Sequence, residues 1–202
     1  MKKAVLLASI LFISVISTAC INNFAVQELN NKAKEFMDKG DYISAIERLK
    51  SSVDLDGTIF ETQYNLAVAY TKAEDYAKAI ETYNNAVKLN PDFADLYYSL
   101  AVCEENLAKD IISGAVTVNI DGSIEKVQPK EDEEEIQKTD KLDDNAKSQI
   151  QSLLNDAISN YNLYLEKSNS SEEKDEIDSE IKEIENLLDK YTDVSSTNAN
   201  GN

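Results

Sequence analysis

The chain has 202 residues, 42% of them apolar, with five glycines, two prolines, two cysteines, no histidine and a formal net charge of −18. That length suits one domain with appendages, and so few turn-forming residues argue against an all-β sandwich or barrel. The charge disfavours nucleic acid, whose phosphates need clustered Lys and Arg. The missing histidine removes Ser–His–Asp and Cys–His nucleophile systems and the commonest zinc ligand.

Met1-Lys2-Lys3 is a short positive stretch, Ala4 to Ile16 an apolar run, and Ser17-Thr18-Ala19 a set of small residues before Cys20. This is the layout of a secretory signal peptide. The small residues followed by Cys20 resemble a bacterial lipoprotein signal, although Ser17 stands where Leu is usual. The resemblance implies that residues 1–19 are removed, that Cys20 becomes an acylated first residue, and that 20–25 form a short linker. Several acyl chains, at ~0.8 kcal/mol per buried CH₂, would anchor the chain stably. Without acylation Cys20 would be an exposed thiol in an oxidising compartment. Soluble export after a small-x-small cleavage stays open, as does an uncleaved anchor. Ile21 is not the Asp that holds some lipoproteins at the inner membrane, so the resemblance implies an outer-membrane anchor facing the periplasm.

Next come two amphipathic stretches, with apolar residues at Val26, Leu29, Ala33, Phe36 and Met37, then at Tyr42, Ala45, Ile46, Leu49 and Val53. Both follow helical spacing. Gly40 ends the first helix and Asp41 caps the second. Asp54-Leu55-Asp56-Gly57 faintly resembles the start of a calcium loop but lacks the later ligands, and a helix end is the better reading.

Asp41-Tyr42-Ile43-Ser44-Ala45-Ile46-Glu47 recurs 34 residues later as Asp75-Tyr76-Ala77-Lys78-Ala79-Ile80-Glu81. Ala33 aligns with Ala67, Phe36 with Tyr70, Leu55 with Leu89 and Gly57 with Pro91. This period, the small residues at helix crossings and the closing Pro91 resemble the tetratricopeptide repeat, a 34-residue helix–turn–helix unit. Repeat one, about 26–59, departs from the pattern at Lys32 and Gly57. Repeat two, about 60–93, departs at Gln63, where a large apolar residue is usual. Repeat three opens with Ala94, Tyr97, Leu100 and Ala101.

The second helix of repeat three is displaced. Ala157-Ile158 and Tyr161 match Ala79-Ile80 and Tyr83 at an offset of 78 rather than 34, so about 44 residues are inserted. The resulting helix carries an apolar stripe from Ile150 to Leu165. Within the insertion, 114–147, Val116–Ile120 and Ser123–Val127 flank Asp121-Gly122, a strong hairpin signal. An isolated hairpin is marginal in water, so this one should lean on the repeats or on a partner. An acidic stretch over about 129–147 reads as a solvated, disordered tether. Ser170 and Glu173 suggest a capping box, after which Ile177, Ile181, Ile184, Leu188 and Tyr191 line a cap helix. The tail, 192–202, reads as disordered. Cys103 lies on an apolar helix face and reads as a small buried hydrophobe.

The expected fold is all-α. It is a tetratricopeptide-type solenoid of helical hairpins, about three repeats plus a C-terminal cap helix, with a β-hairpin and acidic insertion in the third repeat. Residues 26–113 hold repeats one and two and the first helix of repeat three, and 148–191 hold its second helix and the cap. In the resembled family the first helix of each repeat lines a concave groove that binds peptides. Carried over, that groove would show Asn30, Lys34, Tyr64, Asn65, Val68, Tyr98, Ser99 and Val102. The tyrosines equally suit plain helix crossings. The basic constellation that grips a C-terminal carboxylate in chaperone-linked members is absent, since Lys34 and Lys72 alone do not make it. The resemblances together imply a non-enzymatic lipoprotein scaffold for protein or peptide partners in the bacterial envelope. No cofactor, metal, nucleic acid or small-molecule substrate is expected. The alternative is a structural or surface-exposed lipoprotein whose acidic insertion is the functional part.

Overall fold

Regularly spaced apolar residues fold into seven helices among the described residues. The computed structural model describes residues 23–119, 121, 123–127, 142–168 and 172–192. The signal-peptide reading, Cys20, most of the acidic tether, Ser170 and the tail from 193 onward lie outside the described residues. The chain divides into two compact units, Met1–Asp75 and Tyr76–Asn202.

The first unit holds α1 (23–38), α2 (Tyr42–Leu55) and α3 (Phe60–Lys72). Its core is small: Val26, Ala33, Ala45, Leu49, Leu66, Ala67 and Ala69 are buried together with the polar Ser52, Thr62 and Gln63. Alanines at these positions let helix backbones approach closely. Gly40 adopts φ 74°, the left-handed conformation that closes a helix C-terminus. The Asp41 carboxylate accepts from Ser44 N at 3.1 Å and caps α2. Glu74, one repeat after Gly40, adopts the same hand at φ 56°.

The second unit holds α4 (Tyr76–Leu89), α5 (Asp95–Ser113), β1 (Val116–Val118), β2 (Ile124–Lys126), α6 (Asp144–Ser168) and α7 (Lys174–Thr192). Leu96, Leu100, Cys103, Leu107 and Ile111 of α5 and Ile150, Leu153, Leu154, Ala157 and Tyr161 of α6 are buried, and these two helices pack along their length. The helix displaced by the insertion thus packs on the first helix of its own repeat. Ile177 and Ile184 bury the inner face of α7, which packs on α6.

The hairpin forms with a different turn from the expected Asp-Gly pair. Val116 faces Lys126, Thr117 faces Glu125 and Val118 faces Ile124. Asn119 N then donates to Ser123 O at 2.8 Å, one residue out of the expected register that pairs Ile120 with Ser123. The Asp121 carboxylate, accepting from Ser123 N and Ser123 Oγ, supplies the local closure. The Val127 N to Ala115 O bond extends the ladder by one pair, and the hairpin leans on α5 and α6: Val116 is buried and Asn145 Nδ2 of α6 donates to Asn119 O.

Two helix starts differ from expectation. Helix α6 begins at Asp144, inside the stretch read as tether, because Asp143 Oδ1 accepts from Ala146 N at 2.7 Å and Ala146 is buried. Helix α7 begins at Lys174, and the Glu173 carboxylate accepts from the Tyr164 hydroxyl.

Candidate functional site

The repeat period places Asn30, Tyr64 and Tyr98 at one equivalent position of α1, α3 and α5, and their surroundings decide what each can do. In the first unit, Asn30 Nδ2 donates to Val26 O, Ser52 Oγ and Thr62 Oγ1, each at 2.9 Å. Its amide nitrogen therefore bridges α1, α2 and α3 rather than facing a partner. Tyr64 is half-buried and stacks on Phe60 of its own helix with centroids 6.0 Å apart. Lys34 and Asn65 are exposed and Val68 is half-buried.

In the second unit, Tyr98 is 43% exposed. Its ring meets Tyr161 edge-on at 5.8 Å and tilts against Tyr164 at 5.4 Å, both from α6. Ser99 and Val102 beside it are half-buried. Tyr98 thus serves a helix crossing and still presents ring surface. Burial, then the charges of Glu176, Glu180, Glu173 and Glu105, push its hydroxyl above the ordinary tyrosine value. Burial and the charge of Glu105 likewise raise Glu180. Glu105 is buried, accepts from the Tyr161 hydroxyl at 3.3 Å and pairs with Lys109.

The α5–α6 seam holds a second buried carboxylate. Glu104 is 5% exposed and accepts from Asn160 Nδ2 at 2.9 and 3.1 Å. Burial pushes its carboxyl up to about 7 against the opposing Asn160 hydrogen bond, with the Asp156 charge adding a smaller push. A strongly shifted carboxyl can mark a reaction site. Here it is packed between two helices and engaged by an amide, which fits a structural role. The Asp56 carboxylate accepts from Thr58 N and Thr58 Oγ1, which accounts for the calcium-like tetrad as a helix-end turn.

The carried-over residues omit most of what surrounds Tyr98. Tyr161 and Tyr164 come from the displaced helix, Glu176 and Glu180 from the cap helix, Glu173 from the residue just before it, and Glu105 from the buried side of α5. The offset of 78 was the available signal, since it sets Tyr161 where α6 meets α5.

Residues 60–93, spanning α3 and α4, match the model described as the tetratricopeptide repeat. No curated protein matches the sequence. Among solved structures, the chain is similar to the second TPR domain of human RPAP3 in complex with an HSP70 peptide: 15% identity, TM-score 0.54, covering 81% of this chain and 98% of that one. It is also similar to the first TPR of Spaghetti (RPAP3) bound to an HSP90 peptide: 19% identity, TM-score 0.51, covering 81% and 93%. The first TPR domain of human RPAP3 gives 18% identity, TM-score 0.51, and 84% and 96% coverage. The fold is that of the tetratricopeptide repeat. At these identities the likeness is one of fold, and in repeats of this fold the first helix of each hairpin carries the Tyr98 position.

Proposed function

We propose that this protein is a tetratricopeptide-repeat scaffold that holds partner segments against its first-helix faces, carries out no catalysis, and is tethered by lipid on Cys20 in a bacterial envelope. The observation that carries the binding reading is Tyr98, a large aromatic left 43% exposed at a position the repeat presents periodically. Aromatic rings offer broad contact area at low conformational cost, which suits recognition of extended peptide. The RPAP3 structures in complex with HSP70 and HSP90 peptides support peptide binding by this fold. The charge differs, however. Those peptides, SRMEEVD and SGPTIEEVD, are acidic, while the surroundings of Tyr98 are acidic themselves.

The binding reading is tested by photo-crosslinking in intact cells. Photoreactive residues at positions 98 and 65 should capture a discrete protein, and one at the exposed Ile43 of α2 should not. Equal capture from all three sites, or capture from none, overturns the reading. The envelope reading rests on the n-region, apolar run and small residues before Cys20. Intact mass of the membrane-extracted native protein should show a chain starting at Cys20 with two or three acyl chains, and Cys20→Ala should lack them. A bare or unprocessed native chain sinks the anchor while leaving the repeat scaffold in place.

A further inference from the structure

Around Tyr98 the second unit assembles an exposed ring and unpaired negative charge. The Tyr98–Tyr161–Tyr164 cluster fixes the ring. Glu105 is balanced by Lys109 and Glu173 is engaged by Tyr164, but Glu176 and Glu180 form no ion pair among the described residues. No three carboxylates among the described residues converge closely enough to hold a metal ion. The charge is instead spread along α7, where Glu176 and Glu180 lie one turn apart, a rise of ~6 Å. An extended peptide repeats its side chains on one face every ~6.7 Å.

The same unit already places a cation between a tyrosine ring and a carboxylate. Lys167 Nζ lies 5.4 Å from the Tyr97 ring centroid and 3.4 Å from Asp92 Oδ1. Tyr97 has its cation from within the chain, whereas no cation is placed over the ring of the neighbouring Tyr98 among the described residues; Lys109, paired with Glu105, offsets part of the charge at Glu180 and leaves Glu176 and Glu180 without an ion pair of their own.

We infer that the α5–α7 face around Tyr98 docks an extended, cationic segment of a partner protein, with Lys or Arg at alternating positions directed to Glu176 and Glu180 and one of them over the Tyr98 ring. This rests on the scaffold reading above and names the chemistry of its partner. A cation on an aromatic face adds attraction that strengthens when water is excluded, and carboxylates supply charge-assisted hydrogen bonds. The net charge of −18 steers basic partners toward the chain and acidic ones away. The chain's own acidic stretch, Glu131-Asp132-Glu133-Glu134-Glu135, has the wrong sign to occupy this face.

The test pans a displayed library of random twelve-residue peptides against the full chain. Parallel panning uses Tyr98→Ala, the pair Glu176→Gln/Glu180→Gln, and a matched pair, Glu47→Gln/Glu61→Gln, exposed residues of the first unit that remove the same charge. Wild type and the matched pair should enrich peptides with alternating Lys or Arg. Those peptides should bind at least tenfold more weakly to Glu176→Gln/Glu180→Gln, a variant that leaves the tyrosine packing untouched. Equal weakening in both glutamine pairs would mean diffuse charge attraction and overturns the inference. Enrichment of Tyr98-dependent peptides that are not basic overturns the inference and leaves the scaffold reading standing. No Tyr98-dependent enrichment at all overturns both.

Discussion

Asn30 in the first unit and Tyr98 in the second occupy the same repeat position and have opposite fates. Asn30 is turned to interior chemistry, joining α1 to Ser52 of α2 and Thr62 of α3. Two repeats on, across the offsets of 34 and then 78, Ser52 aligns with Tyr164, whose ring lies 5.4 Å from that of Tyr98, so the residue equivalent to Asn30 meets an aromatic ring instead of a hydroxyl and keeps part of its own ring exposed. A repeat thus fixes where a side chain starts but not what it faces. That depends on whether the neighbouring helices offer hydroxyls or hydrocarbon. The second unit has its own polar seam elsewhere, between α5 and α6, where Glu104 meets Asn160.

Glu104 gives the largest way to separate the two seams. Its carboxyl is raised from 4.5 to about 7 in the folded chain, so between those values the folded state holds a proton that the unfolded state has lost. Stability therefore falls as pH rises through that window, and the loss is complete above about 7. The shift corresponds to at most about 3 kcal/mol. Glu104→Gln keeps an acceptor for Asn160 and carries no charge. Denaturant titrations should find the variant more stable than wild type at pH 8, by up to about 3 kcal/mol, and nearly equal at pH 4. A stability difference independent of pH would mean Glu104 does not titrate in this window.

The polar seam of the first unit should respond to substitution rather than to pH. Asn30→Ala removes the bridge and leaves the buried Ser52 and Thr62 hydroxyls short of a partner, which should cost about 2 kcal/mol. Replacing the whole set, Asn30→Leu with Ser52→Ala and Thr62→Val, removes every polar group of the seam together and should recover most of that loss. If the triple variant is as unstable as Asn30→Ala, the position is set by shape rather than by hydrogen bonding.

The 34-residue offset carried nearly all of the helical frame, because burying alanines at fixed positions leaves few other ways for such hairpins to pack. The offset of 78 carried the displaced helix for the same reason. Side-chain chemistry was less legible. Gln63 reads as a departure from the pattern, yet its Nε2 donates to Gly57 O at 3.1 Å, while Tyr97, one repeat later, donates its hydroxyl to Pro91 O at 2.8 Å. The bond persists although both of its ends have changed residue type. Asn30 read as a groove residue because periodicity gives a position, whereas the hydroxyls that capture it lie 22 and 32 residues away. The acidic setting of Tyr98 was hidden in the same way, since Glu176 and Glu180 belong to a helix read only as a cap.

The smallest expected effect concerns the turn that both repeats share. Gly40 and Glu74 close α1 and α3 at the same repeat position, with φ 74° and 56°. Asp41 N donates to Phe36 O and Asp75 N to Tyr70 O, both at 2.9 Å, so the two helix ends are built alike. A left-handed backbone suits glycine and strains any residue with a Cβ. Nothing lies within 4 Å of a Cβ built at Gly40, so Gly40→Ala should lose about 1 kcal/mol through backbone conformation alone. Glu74→Gly should gain about 0.5 kcal/mol, the relief of strain outweighing the extra freedom of glycine in the unfolded chain. Opposite shifts in unfolding midpoint for these two variants would show that the turn, not its residue, is what the repeat preserves. If both variants destabilise, the Glu74 side chain contributes more than its strained backbone costs, and the likeness between the two turns ends at geometry.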